Sequence, residues 1–265
     1  MRVLTDQLGR VHTFATTPIR IISLVPSQTE LLYDLGLEVS IVGITKFCVH
    51  PPHLRSVKKI VGGTKQVDVD KIRLLNPDII ICNKEENTAA IVSELATIAV
   101  VWVTDIITLD DNNEMILQFG QLFNRRIEAQ KWIDKIGFAY SNFKNFMRDR
   151  PYKKTAYFIW RAPYMVAGSD TFINEMLALN HFDNIYGGQG RYPEVVLQEI
   201  RHEGDPELLL LSSEPYPFKE QHAFEIGRYT HHAKTVFVDG EMFSWYGSRV
   251  FKAFDYFKQL QLRIE

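Results

Sequence analysis

Between Leu109 and Arg150 the chain contains no proline, and apolar residues (Ile116, Phe119, Leu122, Phe123, then Ile127, Trp132, Ile136, Phe143 and Met147) recur at three- and four-residue steps. That spacing puts apolar side chains on one stripe and predicts two consecutive helices with a break near Asn124. The second, Arg125–Met147, spans about 35 Å at about 1.5 Å per residue. A helix this long is as wide as a domain, so the segments before and after it are expected to fold as separate lobes.

Those segments share a different pattern. Short β-branched runs at Arg20–Leu24, Ser40–Ile44, Lys59–Val61, Asp78–Cys82 and Val100–Val103 are each followed by helical spacing. Such alternation predicts βαβ units and a parallel sheet. Ser27, with Glu30 three positions on, has the spacing of a capping box, and the helix it opens is expected to stop at Gly36. After Pro151 the alternation resumes with Lys154–Trp160, a helix from Thr171 to about Leu179, strand-like runs at Glu194–Ile200, Glu207–Ser212 and Lys234–Val238, and a last helix from about Ser248 to Leu262. The expected fold class is α/β: two parallel-sheet, Rossmann-like lobes, residues 1–108 and 151–265, joined through a helix pair at 109–150 by a single long helix.

Composition narrows the function classes. With 265 residues, 46% hydrophobic and 23% charged, the chain has the makings of a large core and is not a disordered or repetitive sequence. Thirty Lys+Arg against 32 Asp+Glu, a net charge of −2, leaves no electrostatic footprint for nucleic acid or an anionic membrane. Two cysteines, Cys48 and Cys82, rule out a disulfide framework and leave one bridge open. Met1–Arg10 lacks the apolar stretch of a secretory leader, so the chain as written is expected in the cytoplasm. Apolar runs such as Ile98–Val103 are far shorter than the roughly 18 residues that cross a bilayer.

In open α/β sheets ligands bind beyond the carboxyl ends of the strands. In the first half the loops there carry Ser27 and Gln28, Phe47 and Cys48, and Thr64 and Lys65. In the second half they carry Trp160, Arg161 and Tyr164, Arg191 and Tyr192, Glu214-Pro215-Tyr216, and Phe243, Trp245, Tyr246 and Arg249. Rings supply rigid contact area and guanidinium groups grip carboxylates, so the second set reads as a binding surface. No dinucleotide, phosphate-loop, zinc-protease or nucleophile-elbow motif occurs, and Gly62-Gly63-Thr64-Lys65 lacks phosphate-loop spacing. Neither His50/His53 nor His231/His232 has helical ligand spacing or a cysteine pair beside it, so no resident metal and no catalytic residue is assigned.

Arg20-Ile21-Ile22-Ser23-Leu24-Val25-Pro26-Ser27-Gln28-Thr29-Glu30, the Gly43-Ile44-Thr45 turn and Asn76-Pro77-Asp78-Ile79-Ile80 together resemble the class III, helical-backbone substrate-binding proteins of ABC importers. The resemblance covers nearly the whole chain, with Asp6-Gln7-Leu8-Gly9-Arg10 similar to the strand that opens the mature family domain. The cobalamin-binding branch is nearest: Phe47–Pro52, Tyr192-Pro193 and Glu241–Arg249 resemble its ligand loops, although its ligand-facing tryptophans fall at Thr64 and near Asn83 here.

The resemblance implies a non-enzymatic, monomeric receptor that holds a cobalamin-like corrinoid, ferric siderophore or haem in a cleft between two lobes and delivers it to an ABC permease, with no intrinsic cofactor. Its ligand residues are expected among Ser27, Gln28, Phe47, Cys48, Thr64, Lys65, Trp160, Arg161, Tyr164, Arg191, Tyr192, Phe243, Trp245, Tyr246 and Arg249, with Trp245→Ala weakening binding. Permease docking would fall on Asp70 in the first lobe and on Glu194 and Glu199, beside Gln198, in the second. The location implied is periplasmic or cell-surface if a leader precedes Met1. A second class stays open: a cytoplasmic metallochaperone or chelatase-like enzyme on a related fold, suggested by Cys48, His50 and His53 on one loop.

Overall fold

The computed structural model describes residues 1–265. The chain opens with an antiparallel hairpin, β1 (Arg2–Thr5) and β2 (Val11–Phe14), paired from Arg2↔Phe14 to Thr5↔Val11. Asp6–Arg10 is therefore the turn of this hairpin and not a strand. The Asp6 carboxylate causes it, accepting from the backbone N–H groups of Leu8 at 3.1 Å and Arg10 at 3.0 Å and from the Arg10 guanidinium at 2.7 Å. Gly9 completes the turn at φ +76°.

Five parallel strands follow, interleaved with helices: β3 (Ile21–Ser23), α1 (Pro26–Asp34), β4 (Ile41–Ile44), α2 (Leu54–Val57), β5 (Lys59–Ile60), α3 (Val69–Leu74), β6 (Ile79–Asn83), α4 (Ala89–Leu95) and β7 (Val100–Thr104). Their order in the sheet is β5-β4-β3-β6-β7. Ile22, Ile80, Cys82, Val101 and Val103 pack with Leu24, Val61, Ile72 and Leu95 into one buried cluster. Nearly unbroken apolar strands suit a parallel sheet, because helices cover its faces.

The start of α1 departs from the capping-box expectation. Val25 is the N-cap and makes no side-chain bond, and Pro26 fills the first helical turn, where its missing N–H costs nothing. Ser27 and Glu30 thus lie inside the helix. The other end follows the sequence: Gly36, at φ +75°, donates its N–H to Tyr33 O, and Leu37 N–H bonds Leu32 O at 3.0 Å.

Helices α5 (Leu109–Leu122) and α6 (Arg126–Met147) are separated at Asn124, φ +56°. Beyond them come β8 (Lys153–Trp160), β9 (Met165–Val166), α7 (Phe172–Leu179), β10 (Phe182–Asn184), α8 (Ile200–Glu203), β11 (Leu208–Ser212), α9 (Glu220–Gly227), β12 (Lys234–Val238), α10 (Gly240–Ser244) and α11 (Val250–Ile264). Strands β10-β8-β11-β12 form a parallel sheet, with β9 antiparallel on β8. Glu194–Ile200 is not a strand. Glu194 makes one bridge to Met165, and Leu197–Glu199 turns directly into α8, because buried Leu197 and Ile200 stand three apart and suit a helical turn.

Contacts divide the chain into two units. One holds Met1–Ile106, Asp110–Gly137 and Tyr246–Arg249; the other holds Ile107–Leu109, Phe138–Trp245 and Val250–Glu265. The boundary cuts α6 between Gly137 and Phe138, so the pair at 109–150 is shared out and does not stand as a middle segment. Each sheet also has a point where consecutive strands leave on opposite sides of one strand: β3/β6 in the first unit and β8/β11 in the second. The crevice at such a switch point is where α/β sheets place ligands.

Candidate functional site

In the first unit the β3/β6 switch point is filled by polar side chains. Gln28 is fully buried in the first turn of α1; its Nε2 donates to Thr104 Oγ1 at 2.6 Å and to the Tyr246 hydroxyl at 3.3 Å. Asn83, at the end of β6, donates to the same Thr104 Oγ1 at 3.1 Å. The structure thus brings Ser27, Gln28 and Tyr246 together, but as a buried network. Phe47 is 49% exposed, with Lys46 Nζ 5.0 Å from its ring centre. Thr64 is half-buried, its carbonyl accepting from Asn87, and Lys65 is exposed.

Tyr246–Arg249 straps onto α1 and α5. Gly247 N–H donates to Asn112 Oδ1, Ser248 Oγ to Asp34 Oδ2, and Arg249 Nε to Glu30 Oε2 at 2.7 Å, the last two side chains being only 5% and 6% exposed. Arg249 is therefore not a free guanidinium at a surface, as the resemblance implied; a charge this deep needs an internal partner. Cys48 is likewise turned inward, its Sγ 3.1 Å from Thr29 Oγ1 and 3.3 Å from Thr45 Oγ1. Burial raises its thiol pKa and pushes that of Cys82 up to about 12, so neither is a thiolate at neutral pH, and both are unbridged.

These contacts separate the loop that suggested metal handling. His53 Nε2 is 2.9 Å from Glu38 Oε1 while the Cys48 thiol points into the core. No group of three or more His, Cys, Asp or Glu side chains is arranged to hold a metal ion.

In the second unit the β8/β11 switch point carries rings and an arginine. Trp160, the last residue of β8, is 39% exposed and stands edge-on to Tyr216 with ring centres 5.8 Å apart. Arg161 donates from Nε to the Tyr164 hydroxyl at 3.2 Å and from Nη2 to Glu225 at 3.3 Å. The guanidinium is oriented yet half-open to solvent. Tyr164 packs edge-on against buried Phe158. Arg191, at φ +59°, is exposed and Tyr192 half-buried.

Two aromatic residues of the expected set are structural here. Phe243 is fully buried against Tyr157 at 5.0 Å and Phe257 at 4.8 Å, so it belongs to the core. Trp245 is 8% exposed and donates its indole N–H to Glu214 Oε1 at 2.9 Å, an oxygen that also accepts from Ser244. A β-carbon on Gly240 would come within 2.6 Å of Glu214 Cγ, so glycine is required beside this anchor. Asp70, Glu194 and Glu199 are exposed acids on α3, beside β9 and ahead of α8.

Burial pushes the Glu214 carboxyl above the usual carboxylate range, and Glu241 and Asp239 push the same way against the two donors. A carboxyl whose pKa rises on folding is costly to the fold when ionised, and that cost disappears as pH falls to its unfolded value. Glu214→Gln, which keeps an acceptor for the indole, is expected to raise the melting temperature at pH 7 to 8. The difference from wild type should close as pH approaches the ordinary carboxyl value of 4.5, a comparison open to calorimetry.

His222 did not stand out in the sequence, and Glu214 and Tyr216, though placed on a strand-end loop, were not among the expected ligand residues. Their strand-end position was legible; that the strand borders β8, which brings Tyr216 to Trp160, exists only once the strands are ordered.

A family model described as "Periplasmic binding protein" matches residues 21–228. An uncharacterised ABC transporter substrate-binding lipoprotein of Bacillus subtilis is 28% identical over 208 residues, 74% of this chain and 65% of its own length. This chain thus spans just under two thirds of that relative. Among solved structures, the periplasmic vitamin B12 binding protein of Vibrio cholerae aligns with a TM-score of 0.79 at 17% identity, covering 94% of this chain and 98% of that one. A periplasmic heme-binding protein in complex with two hemes aligns with a TM-score of 0.80 at 15% identity over 92% and 97%. At such identities the likeness establishes the fold.

Proposed function

Because the chain belongs to the periplasmic binding protein family, matched over residues 21–228, we propose that it is the substrate-binding component of an ABC importer, carrying a metal-centred chelate to a membrane permease. The observation that carries this reading is the strand-end face of the second unit. An exposed tryptophan meets a tyrosine edge-on at 5.8 Å, beside an arginine held in place by Tyr164 and Glu225. Rings of this kind take up the apolar body of a corrinoid, haem or ferric siderophore, and an oriented guanidinium takes its acidic group.

Trp160, Tyr164, Arg161, Tyr192 and Arg191 are the ligand-facing residues of the second unit; exposed Phe47 and Lys65 and half-buried Thr64 are the candidates of the first. Ser27, Gln28 and Tyr246 support that first face from beneath. The vitamin B12 and heme proteins of the same fold favour this ligand class. No helix is long and apolar enough to cross a membrane, and the chain acts outside the cytoplasmic membrane, presenting Asp70, Glu194 and Glu199 to arginines of the permease. It performs no bond-making step and carries no cofactor of its own.

Titration of the protein with cyanocobalamin, haemin and a ferric siderophore tests this. Saturable quenching of tryptophan fluorescence at one chelate per chain is expected for one of them. Absence of saturable binding by all three would overturn the ligand class.

A further inference from the structure

Behind the Trp160–Tyr216 pair lies a hydrogen-bonded relay. The backbone N–H of Lys219, at the start of α9, donates to His222 Nδ1 at 2.9 Å. A ring nitrogen that accepts a hydrogen bond carries no proton, so neutral His222 has its proton on Nε2. That nitrogen is 3.2 Å from the Tyr216 hydroxyl, which accepts from it. Gln221 Nε2 also lies 3.2 Å from this nitrogen; two donors cannot bond each other, and turning the amide over brings its oxygen to the N–H. The imidazole is 2% exposed and lies edge-on to Tyr216 at 5.4 Å and Phe218 at 5.7 Å.

We propose that His222, in its Nε2–H tautomer, is a positioning residue that fixes the Tyr216 hydroxyl and thereby the Tyr216–Trp160 corner on which the chelate rests. That a chelate rests there depends on the functional reading above; the relay itself does not. His222 touches no ligand and acts through Tyr216.

The charged groups around the ring are Arg161 just after β8, Lys219 at the start of α9 and Glu225 one turn past His222 on the same helix. Burial first, then Arg161 and Lys219, hold the imidazole below its ordinary value of 6.5, with Glu225 opposing. Acidification puts a proton on Nδ1, which then no longer accepts from Lys219. The Lys219 contact is therefore intact at neutral pH and is lost as pH falls through a midpoint below 6.5, while Nε2–H still donates to Tyr216 and the ring gains a charge beside the Tyr216–Trp160 corner.

The test labels the full-length chain with 5-fluorotryptophan and assigns the Trp160 fluorine resonance with Trp160→Phe. In the wild type this resonance is expected to titrate with a midpoint below 6.5. His222→Asn keeps an acceptor for Lys219 but cannot reach Tyr216; the titration should vanish and affinity for whichever of cyanocobalamin, haemin and a ferric siderophore the wild type binds should fall by about threefold or more at neutral pH. His222→Gln reaches Tyr216 with an amide N–H and should restore affinity to within about twofold. A Trp160 resonance that does not titrate in the wild type, or that titrates unchanged in His222→Asn, overturns the relay. Failure of the wild type to bind any of cyanocobalamin, haemin and a ferric siderophore would sink the functional reading instead, while the fluorine titration still decides the relay.

Discussion

Replacing Arg249 with alanine is expected to cost about 3–5 kcal/mol of stability, because it strands the Glu30 carboxylate in the interior without its partner. The two groups meet at 2.7 Å with side chains 5% and 6% exposed, so both charges are largely cut off from bulk water. Urea denaturation of the single and double variants checks this. Glu30→Leu combined with Arg249→Met should recover most of the loss, since a matched apolar pair removes both desolvation penalties. If Arg249 served a ligand instead, Arg249→Ala would leave the denaturation midpoint in place and weaken binding alone. The neighbouring Gly247 reinforces the strap's fit: at φ +88°, a β-carbon there would sit 3.3 Å from Leu31 Cβ and from Ser27 O.

The largest effect on binding is expected from Trp160→Ala. Its ring is 39% exposed at the β8 switch point, and aromatic anchors in binding sites commonly carry about 2 kcal/mol or more, roughly a thirtyfold loss of chelate affinity. Half-open already, the ring contributes little to the core, so the melting temperature should hold. Trp245→Ala should behave the other way. It removes a ring that is 8% exposed and takes from Glu214 its indole donor, so the fold loses about 3–5 kcal/mol and binding changes follow from that loss. Measuring melting temperature and affinity side by side for the two variants separates a ligand contact from a support.

Periodicity made the two α/β segments and the break at Asn124 legible, because β-branched runs and three- or four-residue apolar steps are local signals. The strand-end loops could be listed for the same reason. What no local pattern carries is the partner of a side chain far along the chain. Glu30, placed three residues after Ser27, has the spacing of a capping box, but its partner Arg249 stands 219 residues away. Phe243, Trp245 and Trp160 look alike as loop aromatics, and only the packing of Tyr157, Phe257 and Glu214 turns the first two inward. Asp6–Arg10 and Glu194–Ile200 show the converse error. The first, similar to the family's opening strand, is a carboxylate-directed turn, and the second, a short run with strand-like composition, is a helical turn, each set by its own hydrogen bonds and burial.

The central claim, reversible capture of an intact metal chelate, is tested most directly by native mass spectrometry of the protein incubated with an equimolar mixture of cyanocobalamin, haemin and a ferric siderophore. One non-covalent adduct of a single chelate per chain, at the unaltered mass of that chelate and reduced in Trp160→Ala, is the predicted result. Release of a chelate with its metal inserted, removed or exchanged, or a spectrum of the bare chain at micromolar concentrations of all three, would contradict it.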